Sequence, residues 1–290
     1  MDSFTYLAPR SLGEAFTALG NGKRSLLLAG GTDVIVQLRE GRRHCDQLID
    51  LKHIPELMAY RITDDGALEV GASVPLARIY EDAEIQRRFP ALVDCASIIG
   101  GVAIQSRATL GGNLCNASPA ADSSPALIAL GARVVIASSA GLREIPVEEL
   151  FAGPGSNTLR PGEILLRVKV PAPSANSAAF YHRFIPRNEM DIAVASSGVS
   201  LTLDAAGTIT AARVALGAVA ATPILAPAAA AALVGAQATP ETFAASGEAA
   251  AAAASPIDDM RGGIAQRRHL AKILTIRALE GALKRIRETR

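Results

Sequence analysis

Two short segments of the chain combine paired glycines with hydrogen-bond-donating side chains: Ala29-Gly30-Gly31-Thr32-Asp33 and, further along, Thr109-Leu110-Gly111-Gly112-Asn113. The chemistry they offer is anion binding. Glycine has no Cβ, so a ligand can approach the main chain closely, and unpaired N–H groups between a strand and a helix favour a phosphate. The Thr32 hydroxyl adds a donor. The Asp33 carboxylate would repel a phosphate and is better suited to helix capping or to holding a sugar hydroxyl. Either glycine pair alone could equally be an ordinary turn. Facing each other, the two could hold both phosphates of a pyrophosphate from opposite sides.

Neither segment fits the commoner nucleotide patterns. There is no G-x-x-x-x-G-K-[ST], so nothing supplies a P-loop lysine, and there is no complete G-x-G-x-x-G. The three cysteines Cys45, Cys95 and Cys115 contain no C-x-x-C pair and lack a histidine at metal-ligand spacing. They read as free thiols of a reducing cytoplasm, without a metal site in this chain. Cys115 follows the second glycine pair closely and is either a small apolar spacer or a thiol near a cofactor. Tyr181 and His182 invite an acid–base role, but without a visible partner packing along a strand is the simpler reading.

These residues need elements to position them. Leu26-Leu27-Leu28-Ala29 is an apolar run ending in a glycine turn, and Asp33 to Leu38 has helical apolar spacing closed by Gly41. Short strands are expected near Leu48–Leu51 and Leu68–Gly71, with helices over Val74–Asp82 and Ala91–Ile99. Pro125 suits the first turn of a helix running to Leu130, capped by Ser123 or Ser124 and followed by the β-branched strand Arg133–Ile136. A strand over Ile164–Val170 ends at Pro171. The stretch 171–177, with two prolines and small polar residues, is the expected linker. Beyond it, strands are expected near Ala178–Phe184, Ala193–Leu203 and Val214–Val219. Alanine-rich helices and a final helix from about Gly263 to Arg287 follow, with Arg267 on a solvated face and Ile264, Leu270, Ile273, Leu274 and Leu279 packed inward. The pattern is α+β, with residues 1–175 as one domain (subdomains of about 1–55 and 56–175) and 176–290 as a second, smaller one.

Composition narrows the partners. With 29 Lys+Arg against 28 Asp+Glu in 290 residues, no net field draws the chain to nucleic acid or to an acidic membrane. The amino terminus has an early acidic residue and no secretory pattern. The uncharged stretch between Arg213 and Glu241 is long enough to span a bilayer, but Gly217, Pro223 and Pro227 break it, so buried structure is expected and no membrane span.

Read in order, LLLAGGTDVIVQLREG, LIDL, ATLGGNLCNASPAADSSPALIALGA, LRPGEILLRVKVP and RFIPRNEMDIA resemble the flavoprotein subunit of molybdenum hydroxylases of the xanthine dehydrogenase and carbon monoxide dehydrogenase type, along essentially the whole chain. The resemblance implies a two-part FAD domain of the vanillyl-alcohol-oxidase type followed by a small carbon monoxide dehydrogenase flavoprotein C-terminal domain. It implies that Leu27, Leu28, Ala29, Gly30, Gly31, Thr32, Asp33 and Val34, together with Thr109, Leu110, Gly111, Gly112 and Asn113, enclose the FAD pyrophosphate and neighbouring sugar. It puts Cys115 beside the site, Asp122 on the sugar-like portion of the cofactor, and Leu165 on an apolar wall. Arg183 stands where relatives commonly carry lysine near the flavin ring, and its planar, wider cation departs from that pattern. Gln105-Ser106-Arg107-Ala108 replaces the usual Gln-Ile-Arg-Asn.

The function so implied is electron transfer without a classical catalytic residue. Substrate is hydroxylated at molybdopterin on a large partner subunit, electrons cross [2Fe-2S] clusters on a small partner subunit, and the FAD subunit hands them to NAD, oxygen, a quinone or another acceptor. A cytoplasmic dimer of heterotrimers is the assembly this implies. A stand-alone FAD oxidoreductase and a nucleotide-binding regulatory module are the alternatives.

Overall fold

A computed structural model describes residues 2–289. The chain first builds β1 (Thr5–Leu7), α1 (Leu12–Leu19), β2 (Ser25–Leu28), α2 (Val34–Arg39) and β3 (Gln47–Asp50). The three strands form a parallel sheet in the order β1-β3-β2. Parallel pairing requires crossover connections, and α1 and α2 supply them. Ser11 starts α1 by accepting from the Glu14 N–H at 3.2 Å, while the Glu14 carboxylate reaches back to the Arg10 N–H at 2.7 Å. A small separate core of Leu28, Leu38, Cys45 and Leu48 seals this lobe.

The second lobe runs through α3 (Pro55–Met58), β4 (Tyr60–Ile62), β5 (Leu68–Gly71), α4 (Leu76–Tyr80), α5 (Ala83–Arg88), α6 (Pro90–Ala96), α7 (Val102–Gln105), α8 (Leu110–Asn116) and α9 (Ser123–Ala129). It continues with β6 (Arg133–Ser138), β7 (Gly141–Pro146), β8 (Phe151–Gly153), β9 (Ser156–Asn157) and β10 (Ile164–Val170). Its five-stranded antiparallel sheet has the order β4-β5-β10-β6-β7. Alternation along the strands puts Leu68, Val70, Val134, Ile136 and Val168 in the main core, while Arg61, Glu69, Lys169, Glu144 and Arg133 form ion pairs across the strands.

The third unit is an antiparallel meander, β11 (Ser177–Phe184), β12 (Ala195–Leu203), β13 (Ile209–Gly217) and β14 (Ile224–Leu225), followed by α10 (Pro227–Ala231), α11 (Pro240–Ala253) and α12 (Ile264–Glu288). Its sheet is covered on both faces. Val199 and Leu201 face the helical core with Leu274 and Leu279, and Ser197 shares a hydrogen bond with Thr275 of α12. The alternate residues face the second lobe, where a Cβ on Gly198 would collide with the carbonyl of Pro125 in α9. The carbonyls at the end of α9, which have no partner within the helix, accept from Ser200 (to Ala129, 2.9 Å) and Arg213 (to Ile128, 2.9 Å).

Several local expectations are corrected. Thr109-Leu110-Gly111-Gly112-Asn113 is the first turn of α8 rather than a free turn, with Thr109 as its cap. Ser123 and Ser124 lie inside α9, and Asp122 occupies the cap position without a side-chain cap bond. Arg267 is buried, not solvated: it pairs with Asp259 at 2.7 Å and donates to the Val194 and Ala218 carbonyls, tying α12 to the loops at the sheet's end. Ile264, at the start of α12, is exposed. Among the described residues no helix is long and apolar enough to cross a membrane, and no group of His, Cys, Asp or Glu could hold a metal ion.

A candidate cofactor-binding cleft

The ends of β2 and α8 meet across a cleft of about 470 Å³, within the size range of small-molecule sites. One wall runs from the end of β2 into the start of α2: Leu27, Ala29, Gly30, Gly31, Thr32, Asp33 and Val34. The other is the cap and first turn of α8, with Thr109, Gly111, Gly112 and Asn113, backed by Ala72 and Ser73. Ile99, Ile104, Ile164 and Leu165 make an apolar wall, and Cys115 also borders the space.

Among the described residues, the N–H groups of Gly30, Gly31, Thr32 and Asp33 donate to no acceptor in the protein, nor do those of Leu110 and Gly111. Such groups are costly unless a ligand or water receives them. Thr109 takes the Gly112 N–H at 2.9 Å. Asn113 accepts from the Ser123 hydroxyl at 2.5 Å, which leaves its amide hydrogens free to donate. The hydroxyl of Ser73 is fully buried in the wall without a partner. This donor-rich pair of walls beside an apolar one fits a ligand with a pyrophosphate and a flat apolar ring, as FAD has.

The glycines serve a purpose beyond ligand access. A Cβ on Gly30 would strike the carbonyl of Arg107, and one on Gly111 would strike the main chain of Ala72. Gly31 adopts φ 83°, which favours glycine. Gly30 is therefore required by contact between the lobes, and Gly111 by the packing of α8 inside the second lobe.

Polar side chains fasten the cleft's rim. Gln37 of α2 donates to Asn116 of α8 at 3.1 Å, Asn116 donates to Asp33 at 3.3 Å, and Asn157 donates to the Cys115 carbonyl at 2.8 Å. Among the described residues lining the cleft only Asp33, Arg43 and Cys115 can ionise. Burial raises the Asp33 carboxyl and pushes the Cys115 thiol up to about 12, so Cys115 is a neutral thiol at physiological pH. Among the described residues Arg43 has no carboxylate partner, whereas its neighbour Arg42 pairs with Glu40.

Four expected site residues lie outside the lining. Leu28 and Leu110 are core residues, because β2 and α8 each bury that side. Asp122 and Arg183 form a buried ion pair at 2.7 Å. The other Asp122 oxygen accepts from the Tyr181 hydroxyl at 2.6 Å, and Arg183 also donates to the Ile98 carbonyl at 2.9 Å. Tyr181 thus has the partner that sequence alone did not reveal. Gln37, Arg43, Asn116 and Asn157 were missed. Two carried a signal: Asn116 is one helical turn beyond Asn113, and Gln37 one turn beyond Asp33.

Residues 2–173 match the family model for the FAD binding domain in molybdopterin dehydrogenase, and residues 180–282 match the CO dehydrogenase flavoprotein C-terminal domain. The chain is 33% identical to the xanthine dehydrogenase FAD-binding subunit of Escherichia coli O157:H7 over 77% of this chain and 76% of that one. It is 29% identical to the carbon monoxide dehydrogenase medium chain of Hydrogenophaga pseudoflava, over 97% and 98%. A solved carbon monoxide dehydrogenase from Hydrogenophaga pseudoflava, lacking the Mo-pyranopterin moiety of its cofactor, superposes with a TM-score of 0.93 at 32% identity, covering 98% of each chain. Cleft, fold and relatives agree: the chain belongs to the FAD-binding subunits of the molybdopterin dehydrogenase family, a family of oxidoreductases.

Proposed function

We propose that this chain is the electron-transfer subunit of a heterotrimeric molybdopterin hydroxylase, receiving electrons from [2Fe-2S] clusters of a small partner subunit and delivering them to an external acceptor. Hydroxylation belongs to a large molybdopterin subunit. The observation that carries this reading is the cleft itself: two facing sets of unpaired N–H donors, an apolar wall, and no side-chain pair suited to acid–base work on a substrate.

When bound, FAD supplies the one- and two-electron chemistry. The protein's part is binding and placement. Gly30 to Asp33 and the start of α8 would hold the pyrophosphate and adjoining sugar, with Arg43 as a nearby cation. Ile99, Ile104, Ile164 and Leu165 would exclude water from the ring. Cys115, held neutral, adds no charge there. We assign residues 1–175 to the cofactor unit, with subdomains of about 1–55 and 56–175, and 176–290 to the C-terminal unit. A dimer of such heterotrimers is the expected assembly.

The test is anaerobic reduction. The purified chain should release FAD on denaturation, and its flavin should stay oxidised with xanthine or carbon monoxide while the complex assembled with both partner subunits becomes reduced by its substrate. Reduction of the isolated chain by either substrate would establish a stand-alone oxidoreductase instead. Tighter binding of ATP than of FAD would support a regulatory nucleotide module.

A further inference from the structure

Lys52 directs its ammonium at the main chain of the first glycine loop. Nζ donates to the Ala29 carbonyl at 3.0 Å and to the Asp50 carboxylate at 2.7 Å. Asp50 is buried at the end of β3, accepts the Lys52 N–H at 3.0 Å through the same oxygen, and receives the Tyr6 hydroxyl from β1 on the other at 2.6 Å. Lys52 does not line the cleft, whereas Ala29 and Gly30 do.

The geometry of one peptide unit links these facts. A trans peptide is planar, so the carbonyl of Ala29 and the N–H of Gly30 point in opposite directions. Lys52 holds the carbonyl end. The Gly30 N–H therefore points away from Lys52, and among the described residues it has no acceptor. Gly30 resists a peptide flip poorly, because glycine adopts alternative backbone conformations easily. Without an anchor, the loop would lose part of its donor array whenever the peptide turned.

We propose that Lys52 is a positioning residue for FAD binding, supported by Tyr6 and Asp50, which presets the Gly30 N–H toward the cofactor's phosphates before the cofactor arrives. Three strands of the parallel sheet thereby contribute to one loop: β1 through Tyr6, β3 through Asp50, and β2 by leading into Ala29. The inference rests on the FAD site described above.

FAD titration of the deflavinated protein, followed by flavin fluorescence, separates the possibilities. Lys52→Met should weaken binding by roughly ten- to a hundredfold, the range for losing a hydrogen bond from a charged donor. Lys52→Arg, whose fork can still reach both acceptors, should recover most of it. The Lys52→Met deficit should persist as ionic strength rises, since it comes from a misdirected peptide and not from a distant charge that salt would screen. Tyr6→Phe, which removes only a hydroxyl from a half-exposed side chain, should weaken binding by about two- to tenfold and decides the matter if Lys52→Met does not fold. A wild-type chain that binds no FAD sinks the cofactor reading itself. If the wild type binds and both variants match it, or if the deficit vanishes in high salt, Lys52 does not position the loop.

Discussion

Arg183, expected near the flavin ring, is engaged by the fold itself. Its guanidinium ties three parts of the fold together: its own strand, Asp122 before α9, and the Ile98 carbonyl. Ile99, the next residue, stands on the cleft wall. Both side chains of the pair are nearly inaccessible, 6% and 9% exposed, so removing one leaves a buried charge without its counterion. Arg183→Met should therefore destabilise the protein by about 3–5 kcal/mol, measured by denaturant unfolding. Arg183→Lys should lose less, because an ammonium is a single point donor that cannot span both acceptors as the planar fork does. Tyr181→Phe removes only one hydrogen bond from the same carboxylate, with an expected cost of about 1–2 kcal/mol. A variant at Arg183 with unchanged stability would mean that the pair carries no structural weight.

At the scale of elements, the strands were the readable part and the site's floor was not. Ile164–Val170 is β-branched, alternates toward its end and stops at a proline, and it forms the strand so expected. The glycine loop after β2 and the helix after it were equally legible. What escaped was set by tertiary contact. Nothing local shows that Gly30 must lie against the Arg107 carbonyl, or that Gly198 must admit α9. Arg267 has the sequence surroundings of a solvated helix face, yet the carbonyls of Val194 and Ala218 need its donors. Two expected outcomes follow from such contacts. Gly198→Ala should force α9 off the sheet and cost about 1–3 kcal/mol or more, seen as a lowered thermal midpoint. The second concerns the approach to β10, where Arg143 of β7 grips Glu163 through two bonds of 2.7 and 2.6 Å. Arg143 holds the Glu163 carboxyl at about 2, against 4.5 ordinarily. The folded value is depressed, so this contribution is complete above about pH 4.5 and is lost as the pH falls toward about 2. Glu163→Gln should therefore narrow its stability gap from the wild type across that window in acid unfolding curves, and a gap that stays constant with pH would rule out the ion pair as the cause.

For the whole molecule, the question is whether the cofactor unit can stand without the C-terminal one. The linker after β10 is a covalent seam, but the packing crosses it. Every residue of α9 is buried, and the sheet of the C-terminal unit covers it so closely that Gly198 and Gly217 both abut Pro125. Cutting the chain there would strip the α9 carbonyls of Ser200 and Arg213, and Asp122 of both Tyr181 and Arg183. It would also free Asp94, which now receives the Arg285 guanidinium of α12 at 2.7 and 2.6 Å. Hydrogen bonds lost in this way are worth about 0.5–1.5 kcal/mol each, and about 1.5–3 where a charged group takes part, while a domain has only about 5–15 kcal/mol in hand. Several such losses together with a newly bared apolar face exceed that margin. A fragment of residues 1–175 should therefore bind a hydrophobic dye, give a broad thermal transition and retain no FAD, while the full chain melts in one cooperative step. If the fragment instead held FAD with a sharp transition, the C-terminal unit would be a separable module, and its role would have to lie in assembly with partner subunits and not in completing the cofactor unit's fold.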